Sequence, residues 1–171
     1  MMSADPLVAG TCAAELVAEL AARGQSLATA ESLTGGLVAA TVAGVPGASA
    51  VLRGGVIVYA TELKHTLAGV PADVLAADGP VAATTAQFLA AGAAERCGAT
   101  WGVGLTGVAG PDRQDGKAVG TVFVGFAGIG PTGDRVAWTT ELRLDGSRWE
   151  IRSGAVVAAL RDLLEAVRRQ C

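Results

Sequence analysis

Apolar and polar positions alternate with two periods along this chain, and the period changes mark the elements. Over residues 7–23, Cys12, Leu16, Val17 and Leu20 recur at helical spacing, and Gly24 ends the stripe. Residues 26–31 form a short apolar run that suits a buried strand, and 34–43 read as a helix closed by Gly44-Val45-Pro46-Gly47. The β-branched content of 51–60 predicts a strand. Residues 61–68 predict a short helix, and 80–96 a long helix opened by proline. A strand over 100–106 precedes a Gly/Pro/Asp loop at 107–118. Strands at 119–127 and 135–144, around a 130–133 turn, form a candidate antiparallel hairpin. The last helix spans about 147–170, with Val156, Leu160, Leu163, Leu164 and Val167 on its inner face. Helices alternate with strands early and strands cluster late. The expected fold class is therefore α/β, a mixed sheet covered by helices on both faces.

Composition narrows this picture. The chain has 171 residues, of which 51% are hydrophobic, and shows no internal repeat or linker. One domain over 1–171 is expected, with a sizeable core. A net charge of -3 and 4% aromatics argue against nucleic-acid binding. No apolar run reaches the length of a membrane span, and no secretory signal is recognisable, so a cytoplasmic location is expected. Cys12, Cys97 and Cys171 are odd in number and far apart, which fits a reducing compartment. The single His65 has no companions at metal-ligand spacing, so no metal or other cofactor is expected.

In an open α/β sheet, ligands gather at the carboxyl ends of strands, and Ser32, Tyr59 and Thr106 fall near such ends. The stretch Ala30-Glu31-Ser32-Leu33-Thr34-Gly35-Gly36 carries a serine at a strand-to-helix corner. Ser32 there is a helix cap, part of an anion cradle, or a nucleophile. A nucleophilic serine needs a base. His65 and Lys64 are the candidates, but as neighbours on one helix they face different ways. Lys64 would have to be neutral, and apolar Val58, Leu63 and Leu67 around it make burial feasible. Tyr59, the only tyrosine, ends the preceding strand and is placed to align the serine or pass a proton. The glycines around Thr106 fit either turn building or a wall against a ligand. Arg148 and Arg152, one turn apart at a helix start, oppose the helix dipole unless an anion lies there. Arg53 is a third possible anion contact.

Several ordered segments carry a resemblance. They are Ala30 to Gly36, Arg53-Gly54-Gly55-Val56-Ile57-Val58-Tyr59 with Lys64, Thr106-Gly107-Val108-Ala109-Gly110-Pro111-Asp112, Val119-Gly120-Thr121-Val122, and Arg148 with Arg152. Together they resemble the CinA C-terminal domain family over about residues 7–167. Its best characterised activity is nicotinamide mononucleotide (NMN) amidohydrolase, the NMN deamidase of pyridine nucleotide salvage. The resemblance implies a three-layer α/β/α sandwich with a mixed, mostly parallel central sheet, in a homo-oligomer that takes a small-molecule substrate without a metal. It implies Ser32 as nucleophile, Lys64 as its base and Tyr59 as support for the proton transfer. Thr34, Gly35 and Gly36 would supply oxyanion and substrate contacts. Thr106, Gly107, Ala109 and Gly110 would line the nucleotide pocket, with Arg148 and Arg53 toward the phosphate. Since the chain opens at the first helix of that domain, the stand-alone form is expected. The alternatives are a non-catalytic nucleotide-binding or competence- and damage-associated module of the same fold, and an amidase for another phosphorylated amide.

Overall fold

A computed structural model describes residues 5–130 and 132–170; Cys171 lies outside the described residues. The elements run α1 (Ala13–Ala22), β1 (Leu27–Glu31), α2 (Leu37–Ala43), β2 (Leu52–Ile57), α3 (Thr61–Thr66), α4 (Ala72–Asp78), α5 (Ala83–Cys97), β3 (Trp101–Gly107), β4 (Thr121–Ile129), β5 (Arg135–Arg143) and α6 (Arg148–Arg168). The five strands form one sheet in the order β2-β1-β3-β4-β5. β1 pairs parallel with β2 and β3, whereas β3–β4 and β4–β5 are antiparallel. Pairings are thus evenly divided, yet only β4 runs against the other strands. The expected hairpin is β4–β5.

Helices cover both faces, so the molecule is a three-layer α/β/α sandwich. The strand pattern dictates what packs where. Along β3, Trp101, Val103 and Leu105 join the core shared with α1, α2 and α6. The alternate positions Gly102 and Gly104 face α5. A Cβ at Gly104 would meet Ala86 O at 2.5 Å, and one at Gly102 would meet Ala90 O at 1.9 Å. On β4, Val122, Val124 and Phe126 repeat the apolar face, and Gly125 lies against α5. The small residues let the backbone of α5 lie almost directly on the sheet. Gly104, considered as a possible ligand wall, serves helix packing instead.

Three element boundaries differ from the periodicity. Residues 7–12 are not part of α1. The Thr11 hydroxyl donates to Val8 O (2.8 Å) and accepts from Ala13 N (3.2 Å), which closes a separate turn before the helix. The second helix starts at Leu37 rather than residue 34, because Gly35 and Gly36 adopt φ of 60° and 96°, incompatible with an α-helix. α4 carries no fully buried residue, which explains why no apolar stripe announced it. Among the described residues no helix is long and apolar enough to cross a membrane.

Candidate active site

Ser32 directly follows β1, an interior strand whose five residues are all buried. Its N–H donates to Leu105 O of β3 at 3.0 Å, which ties the turn to the neighbouring strand. Lys64 projects from α3, the helix that follows β2. Because β1 and β2 are parallel neighbours, their carboxyl ends, and the residues beyond them, come together at one edge. Lys64 Nζ lies 3.0 Å from Ser32 Oγ, 2.9 Å from Val58 O and 3.4 Å from Tyr59 O.

Ser32 is 8% exposed and Lys64 only 2%. Burial disfavours the ammonium form and lowers the lysine pKa from 10.5 to about 8, and the Glu62 carboxylate offsets only part of this. The three contacts suit both protonation states. As an amine, Nζ donates its two N–H groups to the carbonyls and turns its lone pair to the serine O–H. As an ammonium, it donates to all three. The geometry thus allows a proton to pass along the Ser32–Lys64 axis without rearrangement. His65 takes no part, since its Nδ1 donates to Val70 O at 2.7 Å.

Ser32, Lys64 and Tyr59 line a cleft of about 140 Å³ whose opposite wall is the 107–112 loop. Thr106, Gly107, Ala109, Gly110 and Arg148 line it as well, as the sequence suggested. The Thr106 hydroxyl is buried and donates to Pro80 O at 2.6 Å. Arg148 donates to Gly110 O (2.6 Å) and to the Tyr59 hydroxyl (2.5 Å), so it spans the cleft between two neutral acceptors. Leu33, Pro80, Val81, Asp112 and Gln114 complete the wall. Pro80 and Val81 had no sequence signal beyond a helix start. Gln114 lay in a loop with no chemistry of its own.

Other expected contacts lie elsewhere. Arg53 is not in the cleft. The β1–β2 register pairs Leu27 with Leu52 and Glu31 with Ile57, so Arg53 sits beside the start of β1. That is about four strand residues, roughly 13 Å, from the catalytic edge. Its Nε donates to Cys97 O. Arg152 also turns away from an anion role, because its Nε and Nη2 donate to Leu33 O and Thr34 O. Thr34, Gly35 and Gly36, expected as substrate contacts, do not line the cleft, and the Thr34 side chain is fully buried. The Gly35 N–H donates to Ser32 O, and that of Gly36 to Glu31 Oε2. Glu31, fully buried, also accepts from Val38 N (3.0 Å) and Ala39 N (2.9 Å). The start of α2 is thus filled by the chain's own carboxylate rather than left for a ligand. Among the described residues the N–H groups of Leu33 and Thr34 carry no intramolecular acceptor.

Known proteins share this sequence pattern and fold. The family profile described as the CinA C-terminal domain matches residues 9–167. A CinA-like protein of Frankia casuarinae is 50% identical over 141 residues, 82% of this chain and 31% of that protein. A CinA-like protein of an Anaeromyxobacter species is 49% identical over 154 residues, 90% of this chain and 36% of the relative. The chain spans about a third of the length of these curated relatives. The crystal structure of the competence/damage inducible protein CihA from Agrobacterium tumefaciens superposes with a TM-score of 0.84 at 32% identity, over 97% of this chain and 99% of that one. A CinA superfamily protein from Klebsiella pneumoniae gives 0.84 at 29% identity, over 92% and 96% of the two chains.

Proposed function

The chain belongs to the CinA C-terminal domain family, and on that premise we propose that it hydrolyses the carboxamide of NMN to nicotinate mononucleotide and ammonia. The carrying observation is the buried Lys64 amine 3.0 Å from the Ser32 hydroxyl at the floor of a polar cleft. Ser32 Oγ attacks the carboxamide carbon while Lys64 Nζ accepts its proton. The carbonyl oxygen becomes an oxyanion, for which the N–H groups of Leu33 and Thr34, beside the serine and without an acceptor of their own among the described residues, are the candidate main-chain donors. Lys64 returns the proton to the leaving nitrogen, ammonia departs, and an acyl-enzyme remains. Water, deprotonated by the neutral Lys64, then releases nicotinate mononucleotide and restores the serine.

The same reading gives the cleft wall its tasks. Arg148 has neutral partners only, so a phosphate oxygen would gain a charge-assisted bond by displacing one of them. Tyr59 contributes through two atoms. Its carbonyl holds Lys64, and its hydroxyl holds Arg148 at the rim.

Ammonia release from NMN by the purified protein tests this directly. Ser32→Ala and Lys64→Ala are each expected to lower kcat by about 10³-fold or more while the fold is kept. No release by the parent, or undiminished release by Ser32→Ala, overturns the proposal.

A further inference from the structure

Arg152 does something at this site that a substrate contact would not. The guanidinium comes from α6, 118 residues after the turn it touches. Its Nε donates to Leu33 O at 2.9 Å and its Nη2 to Thr34 O at 3.0 Å. Two adjacent carbonyls on one rigid fork fix two successive peptide planes, a task to which a flexible lysine is not suited. Those planes are the second and third peptide units after Ser32, joining Leu33 to Thr34 and Thr34 to Gly35. On the other side of the serine, the Glu31 carboxylate holds the N–H groups of Gly36, Val38 and Ala39. The turn is thus gripped by its carbonyls and by its N–H groups at once. Among the described residues Arg152 forms no ion pair, so its charge is directed wholly onto the turn. A carbonyl bonded to a cation polarises its own peptide unit, and the Leu33 carbonyl shares its unit with the Thr34 N–H. That N–H becomes a stronger donor.

We propose that Arg152 is a positioning residue, which holds the Leu33 and Thr34 peptides so that Ser32 Oγ stays on Lys64 Nζ and the Thr34 N–H is polarised. The inference rests on the serine–lysine reading. It differs from an anion-binding role, because the Nε–Nη2 edge is spent on main-chain carbonyls.

The test uses a small fluorophosphonate, which labels an activated serine whatever the natural substrate, alongside NMN turnover. Arg152→Ala is expected to slow labelling and kcat by about 10²-fold, the scale of an ångström-sized misplacement. KM for NMN should change by no more than about twofold, since no ground-state contact is lost. Added guanidinium ion at millimolar concentration should recover about tenfold of the loss, and Arg152→Lys, with a single point donor, should recover only part of it. Should Arg152→Ala fail to fold, Arg152→Gln and Arg152→Lys report the same split. Labelling of Arg152→Ala at the parent rate, a loss confined to KM, or full activity in Arg152→Lys overturns the proposal. No labelling of the parent, or labelling unchanged in Ser32→Ala, overturns the serine–lysine reading itself and the proposal with it. Labelling that requires Ser32 but ignores Arg152 removes only the role of Arg152.

Discussion

At the scale of single residues, the active group is defined by what surrounds it. Lys64 carries an ordinary side chain with a pKa near 8 because water has been removed from around it. Only the neutral amine accepts the serine proton. The rate constant kcat/KM for NMN should therefore rise tenfold per pH unit in the acid range and level off above about pH 8. A rate profile flat from neutral to mildly alkaline pH would contradict Lys64 as the base. The positions of Ser32, Tyr59 and Lys64 near strand ends were legible in the sequence. The pattern left Ser32 as cap, anion cradle or nucleophile and left His65 beside Lys64 as its base, and only the family resemblance assigned their roles. The tasks of the arginines were not legible. Arg53, Arg148 and Arg152 look alike in a sequence, and their tasks depend on the acceptors that the fold brings to them. Arg148 finds Gly110 O and Tyr59 in the cleft. Arg152 finds the nucleophile turn, and Arg53 finds Cys97 O at the opposite end of its strand.

At the scale of elements, the fold depends on how closely α5 lies on the sheet. Gly102, Gly104 and Gly125 form the surface under this helix, and each would drive a Cβ into its backbone. Gly104→Ala is expected to destabilise the protein by about 3 kcal/mol, since helix and strand must part to admit one methyl group. For a chain of this length that lowers Tm by roughly 6–12 °C, measurable by thermal melting. An unchanged Tm would show that α5 can retreat without cost. A control at Gly154 on α6, where a Cβ would come no closer than 3.5 Å to any atom outside the local helix backbone and φ is not left-handed, shows that the cost at Gly104 comes from crowding rather than from losing a glycine. The aromatic cluster on the opposite face reinforces the hairpin. Phe126 stacks on Trp138 at 4.7 Å, and Trp101 meets Trp138 edge-on at 6.1 Å. Periodicity identified these strands but not the partner of their glycine face, because an absent side chain leaves no pattern.

For the whole molecule, the buried Lys64 has a cost in stability that varies with pH. The folded chain releases the Lys64 proton near pH 8, whereas an unfolded lysine keeps it to about 10.5. Between these values the unfolded state binds more protons, so this group makes the protein more stable as pH rises across the window. Below it, the buried ammonium opposes folding. Urea unfolding of the parent and of Lys64→Met, at pH 7.5 and at pH 10.5, isolates the effect because other titrations cancel in the difference. The parent should gain on the variant by up to about 3 kcal/mol at the higher pH. No relative gain would mean that Lys64 is solvated in the folded state. By itself the sequence determined the order and type of most elements, the three-layer class and the edge of the sheet where chemistry gathers. These follow from local periodicity and from the rule that parallel strands present their carboxyl ends together. Only the tertiary structure decided that Lys64 is desolvated, that Glu31 fills the start of α2, and that Arg152 grips the turn after Ser32. Burial and hydrogen-bond partnership are sums over segments far apart in the chain, and no local pattern contains them.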